Sequence, residues 1–309
     1  MKISFPVLFV AAVATLTVAC APVAQQSIQG SDQSGIIGGE KVAEGSALQK
    51  SIVAIYDVKR NALCTGSLIR DNVIMTAAHC IGKTAGDHLI VFATDLEATF
   101  KLAETNKEAF LKVARRGVKT VTHTEWGKEH KDAEAWGDIA LIQFAGKAPE
   151  GFVPATMLAS SSSLKPGTPV ILAGYGVTQD KLTEVKPSND PEFKKGVDSG
   201  KIFCDDEDMA KAKCFTEEVS GEGILHMTDV VVEDSFNATE IGLNQTKGKA
   251  ACVGDSGGPA YLKVGEEYHL WGVTSRGTRG CNGFVLYTDA IALSQWVNEQ
   301  VALLGTVAK

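Results

Sequence analysis

The sequence is short of positive charge. Its 309 residues include 30 Lys and Arg against 37 Asp and Glu, which gives a net charge of -7. Nonspecific binding to a nucleic-acid backbone requires clustered Lys and Arg side chains, so we expect no nucleic acid as a partner. The sequence also lacks a C-x-x-C pair and its histidines are scattered. We therefore expect no metal site of the zinc type and no cofactor.

One apolar run, residues 3–19, follows Lys2 and ends at Cys20. This pattern predicts a secretory signal peptide over residues 1–19. The alternative is a membrane-spanning helix, for which seventeen residues with Pro6 near the start are at the short limit. The end of the run resembles a bacterial lipoprotein signal, which would attach a lipid to Cys20 and hold the protein at the cell envelope. Cleavage near Ala21, with secretion, is the other possibility.

The segment that follows the leader, residues 20–35, is rich in Gln, Ser and Gly. Such a composition is typical of a flexible tether or propeptide. Any contact with a membrane would then be made through the lipid on Cys20 alone.

The cysteines are odd in number, seven, and six remain when Cys20 is set aside. In a chain with a secretory leader they are expected to form disulfides. Three bridges between cysteines that are near in sequence are the simplest interpretation, although six cysteines allow about fifteen connectivities. The pairs are Cys64 with Cys80, Cys204 with Cys214 and Cys252 with Cys281.

Short runs rich in Ile, Val and Leu are separated by Gly, Asn or Asp along most of the chain. Such runs are typical of strands joined by turns, and many of them at turn-sized intervals indicate an all-β barrel or sandwich. The predicted strands are residues 51–58, 63–69, 73–75, 89–93, 139–144, 169–173, 224–232, 259–264, 270–275 and 284–287.

The clearest helix pattern lies at the C-terminus, where Asp289 is placed to cap a segment whose apolar residues share one face. Two charged stretches, 95–136 and 178–223, show little periodicity and are predicted to be mainly surface loops. A short helix is expected inside residues 102–113. The Ser-rich segment 160–163 is the predicted connection between two halves of the chain.

The strongest chemical signal is GDSGGP at 254–259, because a nucleophilic serine needs a tight turn of small residues that a substrate carbonyl can approach. Alone, the segment also fits an ordinary turn or the loose G-x-S-x-G pattern of α/β-hydrolases. Upstream lie TAAHC at 76–80 and DIAL at 138–141. The order is therefore His, Asp, Ser, whereas an α/β-hydrolase has Ser, acid, His. The one histidine after the serine, His269, lies in a predicted strand, which argues against an α/β-hydrolase.

TAAHC, DIAL and GDSGGP in this order resemble the three signature segments of the chymotrypsin/trypsin family of serine peptidases. The resemblance runs from residue 36 to about residue 304. It implies two packed six-stranded antiparallel β-barrels, with the catalytic residues in the cleft between them and a C-terminal α-helix. The peptidase domain would then span residues 36–309, divided near residue 160 between an N-terminal barrel and a C-terminal barrel with the helix.

The same resemblance assigns roles to individual residues. Ser256 is the expected nucleophile, His79 the general base and acid, and Asp138 the carboxylate that orients the imidazole. The backbone N–H groups of Gly254 and Ser256 would form the oxyanion hole, and Ser275 matches the serine that hydrogen-bonds the aspartate. We therefore expect hydrolysis of peptide bonds in proteins or peptides through an acyl-enzyme.

The resemblance also gives each cysteine pair a place in the fold. Cys64 to Cys80 matches the loop that anchors the catalytic histidine, Cys252 to Cys281 matches the bridge beside the primary specificity pocket, and Cys204 to Cys214 would close a loop in the second barrel.

Residues 36–39, IIGG, resemble the N-terminus that zymogens of the family expose on cleavage. The new ammonium of Ile36 would pair with the aspartate beside the nucleophile, Asp255. Gly35 follows Ser34 where a basic residue is usual, so the activating protease is not expected to be trypsin-like. The alternative is that the two glycines mark only a turn before the first strand.

Counting back from Ser256 places Ala250 at the base of the specificity pocket, where it offers no partner to a Lys or Arg side chain. Gly277 would keep the pocket open and Val285 would intrude into it. We therefore predict a shallow apolar pocket for Ala, Val or Leu before the scissile bond. Two nearby arginines, at 276 and 279, are expected to be solvated, and attraction of acidic substrate groups is the alternative.

Two other functions are compatible with the sequence. A binding module on a protease scaffold would usually lack a member of the triad, and here all three residues are present. The other is a peptidase that stays locked as a zymogen until a partner cuts or binds it.

Overall fold

The computed structural model describes residues 36–130, 136–206 and 208–305, so the leader, Cys20 and Gly35 lie outside the described residues. Within these ranges the chain forms seventeen strands and four α-helices. The strands are β1 (Glu40–Lys41), β2 (Ile52–Asp57), β3 (Ala62–Arg70), β4 (Val73–Thr76), β5 (His88–Val91), β6 (Ala114–Thr122), β7 (Ala140–Phe144), β8 (Thr156–Met157), β9 (Pro169–Gly174), β10 (Gln179–Val185), β11 (Ile202–Cys204), β12 (Cys214–Ser220), β13 (His226–Asn237), β14 (Glu240–Asn244), β15 (Pro259–Val264), β16 (Glu267–Gly277) and β17 (Phe284–Asp289). The helices are α1 (Leu96–Thr105), α2 (Lys107–Val113), α3 (Pro191–Asp198) and α4 (Ser294–Gly305).

The first barrel closes in the order β2-β3-β4-β7-β6-β5, with β5 returning to β2. All six pairings are antiparallel. Apolar side chains fill the interior so tightly that a Cβ on Gly66 would lie 2.5 Å from Ile74 Cγ2 and 2.8 Å from Ile55 Cδ1. Packing at this density makes small residues obligatory where strands approach closely.

The second barrel follows the order β13-β14-β17-β16-β15-β9, and β13 pairs with β9 to close it. The short strands β1 and β8 extend it at β13 and β16. Its core surrounds the buried rings of Trp271 and Tyr287. Two closed six-stranded barrels followed by a C-terminal helix confirm the predicted fold class.

Helix α4 packs back on the first barrel. Val297 and Leu304 belong to the same core as that barrel, and Gln143 Nε2 donates to the carbonyl oxygen of Leu304 at 3.0 Å. The helix begins at Ser294, five residues later than the predicted cap. Asp289 instead accepts hydrogen bonds from the N–H groups that follow it in the preceding turn. In the described part of the chain, no helix has the length and apolar character needed to cross a bilayer.

The two predicted surface loops contain regular structure, so that prediction was wrong, whereas α2 confirms the short helix expected inside residues 102–113. The first stretch forms α1, α2 and β6, and the helices are capped by Asp95 and Asn106. The second stretch forms α3 and a separate antiparallel sheet with the order β10-β12-β11. Charged and apolar residues alternate too irregularly in these segments to show a helix or strand period. Helix capping and pairing with neighbouring strands nevertheless stabilise regular structure there.

Candidate active site

Strand pairing in the first barrel brings His79 beside Asp138. Thr76 at the end of β4 pairs with Ala140 at the start of β7. His79 lies three positions after Thr76 and Asp138 lies two positions before Ala140, so both are at the same end of this strand pair. His79 Nδ1 lies 2.8 Å from Asp138 Oδ2, and the His79 backbone N–H donates to Oδ1 at 3.0 Å. One carboxylate therefore fixes both the imidazole ring and the backbone that carries it.

The second barrel holds the same aspartate from the other side. Ser275 Oγ donates to Asp138 Oδ2 at 2.7 Å, and Thr288 Oγ1 donates to the Asp138 carbonyl at 3.0 Å. Asp138 is only 2% exposed. A buried carboxylate with this many donors is held in one orientation.

Ser256 lies in a turn of the second barrel that is attached to the first. Its carbonyl oxygen accepts from the Thr65 N–H at 2.9 Å, and it lies 3.5 Å from Sγ of Cys80, the residue after His79. Thr65 Oγ1 also donates to the Gly254 carbonyl at 3.0 Å. These contacts bring the serine turn next to the segment that carries the histidine.

Two glycines shape this turn through positive φ angles, +93° at Gly254 and +78° at Gly257. A Cβ on Gly257 would lie 2.0 Å from Thr76 Oγ1 and 2.6 Å from the Thr65 carbonyl oxygen. Glycine is therefore required there for both its conformation and its size. The absence of a side chain at Gly257 lets the backbone of the turn pack directly against Thr65 and Thr76 of the first barrel.

Asp255, next to the serine, points away from solvent and is 1% exposed. It accepts hydrogen bonds from the N–H groups of Gly176 at 2.8 Å and Cys252 at 2.9 Å. No described Lys, Arg or His side chain forms an ion pair with it, and burial raises the pKa of this carboxyl to about 7. Ile36 is also fully buried, and Ile37 exchanges two backbone hydrogen bonds of 3.0 Å with Ala250.

A cavity of about 210 Å³ opens beside Ser256. Gly277 and Val285 line it, and Ala251 contributes to the wall. Ala250 does not line it, and is instead fully buried in its pairing with Ile37. The prediction that Ala250 forms the base of the pocket therefore does not describe this cavity, because the residue is covered by the N-terminal segment.

The chain matches a known protein family over most of its length. The family model described as Trypsin matches residues 36–297. The chain belongs to the trypsin family of serine peptidases. Members of this family are serine endopeptidases, so the chain is a hydrolase that acts on protein or peptide substrates.

Its relatives include elastases. The chain is 25% identical over 277 residues to chymotrypsin-like elastase family member 1 of Canis lupus familiaris, which covers 86% of this chain and 92% of that protein. The Homo sapiens protein of the same name is 26% identical over 281 residues, with the same shares of 86% and 92%. Ovochymase of Halocynthia roretzi is 25% identical over 279 residues, 85% of this chain but 15% of that protein. These relatives are animal proteins, and none of them supports the predicted bacterial origin.

The trypsin-family domain contains three disulfides, Cys64–Cys80, Cys204–Cys214 and Cys252–Cys281. Disulfides are typical of proteins that fold outside the cytoplasm, which indicates an extracytoplasmic location. His79 approaches one bridge and Asp180 another closely enough to resemble metal sites. In both groups the sulfurs are joined to each other, so each group offers only one further ligand.

The expectation that both pocket arginines are solvated is wrong for Arg276. Its guanidinium pairs with the fully buried Glu240, with Nη1–Oε1 at 2.6 Å and Nη2–Oε2 at 3.0 Å, and lies 3.9 Å above the ring centroid of Trp136. Arg279 remains 55% exposed but lies 3.3 Å from Glu217 Oε2. Both arginines near the cavity, Arg276 and Arg279, therefore have protein partners.

Two hydroxyl side chains that support the site were not singled out from the sequence. Thr65 bonds the serine turn across 189 positions, and Thr288 bonds the aspartate across 150. Neither lies in a signature segment. No local pattern points to contacts of such separation.

Proposed function

We propose that Ser256, His79 and Asp138 are the catalytic triad of this peptidase, within a domain that begins at Ile36. The observation that carries the proposal is the carboxylate of Asp138, which bonds the His79 imidazole while Ser275 bonds the same carboxylate oxygen. This arrangement fixes the tautomer that leaves Nε2 free to accept a proton from the serine hydroxyl. The serine then attacks the peptide carbonyl, His79 returns the proton to the amine as the C–N bond breaks, and water hydrolyses the resulting acyl-enzyme.

The oxyanion hole is assigned to the backbone N–H groups of Gly254 and Ser256. The positive φ of Gly254 and the bond from Thr65 to its carbonyl support this assignment, because they restrain the stretch of backbone that joins the two N–H groups. Donors held rigidly before the reaction stabilise the negative charge of the tetrahedral intermediate without reorganisation.

We also propose that the chain is a zymogen cleaved before Ile36 by a protease that is not trypsin-like. The support is the buried Asp255, whose ionised form has two N–H donors but no cation among the described residues. In the uncleaved chain the nitrogen of Ile36 belongs to a peptide bond and is neutral. After cleavage its ammonium would offset the burial of the carboxylate and stabilise the active shape of the serine turn.

The proposed preference is for small or medium apolar side chains before the scissile bond. The walls contributed by Ala251 and Val285 support it, since they offer burial and no charge to an entering side chain. The elastase names of two relatives are in line with it.

A serine-directed fluorophosphonate tests the triad and the zymogen together. Two samples are compared, the uncleaved chain and a chain cut before Ile36 through an engineered site at 34–35. We expect mass spectrometry to find the label on Ser256 only after cleavage, and Ser256→Ala to lose both the label and at least about 10⁴-fold in kcat. Ser160→Ala, an exposed serine, is the matched control and should change neither.

The outcomes separate the hypotheses. Labelling before cleavage would contradict the zymogen and leave the triad standing. The absence of labelling in both samples would contradict the triad and favour a silent binding module. Cleavage of a peptide library by the cut sample then tests the preference for Ala, Val or Leu.

The leader is compatible with two locations. The protein is either secreted after cleavage near Ala21 or anchored to a membrane by a lipid on Cys20. Detergent extraction and intact mass of the mature protein distinguish them, because a diacylated cysteine adds a fixed mass and partitions into detergent.

A further inference from the structure

The segment 178–223, inserted between β9 and β13, forms a small sheet that is unlike a mobile surface loop. Its three strands pair antiparallel as β10-β12-β11, helix α3 packs beside β11, and the Cys204–Cys214 bridge joins β11 to β12. The insertion thus has its own covalent and hydrogen-bonded framework and can hold a side chain in a fixed position.

One side chain of this sheet reaches the cavity beside Ser256. Glu217, on the central strand β12, lines the same cavity as Ser256. Its carboxylate lies 3.3 Å from Arg279 Nη1, and the guanidinium stacks 4.3 Å from the ring centroid of Phe203 on β11. Leu182 on β10 contacts Gly280, where a Cβ would lie 2.9 Å from Leu182 Cδ1. Glu217 therefore lines the cavity itself, while Phe203 and Leu182 pack against the segment 279–280 beside it.

The cavity wall carries a close ion pair between Glu217 and Arg279. Glu217 is 21% exposed and Arg279 is 55% exposed, so the pair lies partly out of water. A second carboxylate, Asp180, lies 3.5 Å from the Cys252 sulfur of the bridge that borders the cavity. Burial, and next the neighbouring Glu217, raise the pKa of Asp180 to about 6, and Glu217 is the carboxylate that lies within ion-pair distance of Arg279.

We propose that Glu217 and Arg279 are specificity-determining residues, which by neutralising each other make the cavity reject both acidic and basic side chains before the scissile bond. A charged side chain that enters the cavity loses water. It gains a partner only by separating the existing pair, which leaves the other member unpaired. An apolar side chain meets neither cost. The inference rests on the proposed function, since it concerns the residue that precedes the bond attacked by Ser256.

The test uses the chain cut before Ile36 and four peptides that differ only in the residue before the scissile bond, Ala, Val, Glu or Lys. Glu217→Gln should free Arg279 and raise kcat/KM for the Glu peptide, relative to the Ala peptide, by about 10-fold or more. Arg279→Gln should raise the ratio for the Lys peptide in the same way. The double variant should return both ratios close to the original values.

Two further variants sharpen the result. Asp180→Asn combined with Glu217→Gln removes both carboxylates and should give the largest gain for the Glu peptide. Glu218→Gln, on the same strand but exposed on the opposite face, is the matched control and should change no ratio. Each ratio is taken within one sample, so a variant that folds in part still gives a valid value.

The proposal would be overturned if the kcat/KM ratio of the Glu to the Ala peptide, and that of the Lys to the Ala peptide, were the same in the single variants as in the original chain. Failure of the proposed function looks different, because the original chain would then cleave no peptide and bind no fluorophosphonate.

Discussion

Replacing Asp255 by Asn should remove a large pH dependence from the stability of the uncleaved peptidase. Burial raises the pKa of this carboxyl from 3.8 to about 7 in the folded chain. Between these two values the folded protein keeps a proton that the unfolded chain has lost. The contribution of Asp255 to stability is therefore greatest below about pH 4, is lost as the pH rises toward 7, and is level above that.

The size of the effect follows from the two pKa values. Each unit of difference between folded and unfolded chains corresponds to about 1.4 kcal/mol, so Asp255 should lower the free energy of unfolding by roughly 4 kcal/mol between pH 4 and pH 7.5. Asn has no charge to bury. It cannot accept both N–H bonds that Asp255 accepts, but that cost is the same at every pH.

Urea denaturation at five pH values from 4 to 8, followed by tryptophan fluorescence, measures the difference. Both proteins carry Ser256→Ala, which prevents self-cleavage. The free-energy difference between the Asp and Asn proteins should shift by roughly 4 kcal/mol in favour of Asn as the pH rises. Asp71→Asn, an exposed aspartate, is the control and should give no such shift.

Parallel stability curves for the Asp and Asn proteins would refute the reasoning, since they would mean that the buried carboxyl titrates alike in both states. Cutting the chain before Ile36 should reverse the trend. The new ammonium would stabilise the ionised carboxylate, and Asp255 would then stabilise the protein at neutral pH.

Two further predictions concern stability. Gly257→Ala should cost at least about 2 kcal/mol in urea denaturation, because it adds a clash to a strained φ, whereas Gly265→Ala, with φ +62° and no atom near the added Cβ, should cost only about 1–2 kcal/mol; equal costs would argue against the clash. Glu240→Gln should cost about 3–5 kcal/mol because it leaves the Arg276 guanidinium without its buried partner, while Glu240→Leu with Arg276→Met should recover most of the loss; a double variant no better than the single one would contradict this account.

Ten of the twelve barrel strands were predictable because each is a run of apolar residues that can be recognised from its own sequence. The two that were missed, β6 and β14, are different. Strand β6 reads ARRGVKTVT and exposes several of its side chains, and it is a strand because β5 and β7 both offer it partners. Pairing across a closed barrel depends on residues distant in sequence, which no window of the chain contains.

The candidate site shows the same division. The histidine, aspartate and serine each lie in a short contiguous motif that can be recognised without knowledge of the fold. Glu240 and Arg276 are 36 positions apart, and their pairing depends on where β14 and β16 lie around the second barrel. Glu217 was hidden for a related reason, because its segment has too little hydrophobic periodicity to predict a sheet.

The hydrogen bond from the Thr65 N–H to the Ser256 carbonyl has a consequence for the life of the molecule. With the triad as proposed, the groups that perform the reaction come from both halves of the chain and meet only where those halves are docked. A newly made copy cannot attack its neighbours until its second half has folded against the first. Separation of the two barrels would break this hydrogen bond and, with the triad as proposed, would end peptide cleavage.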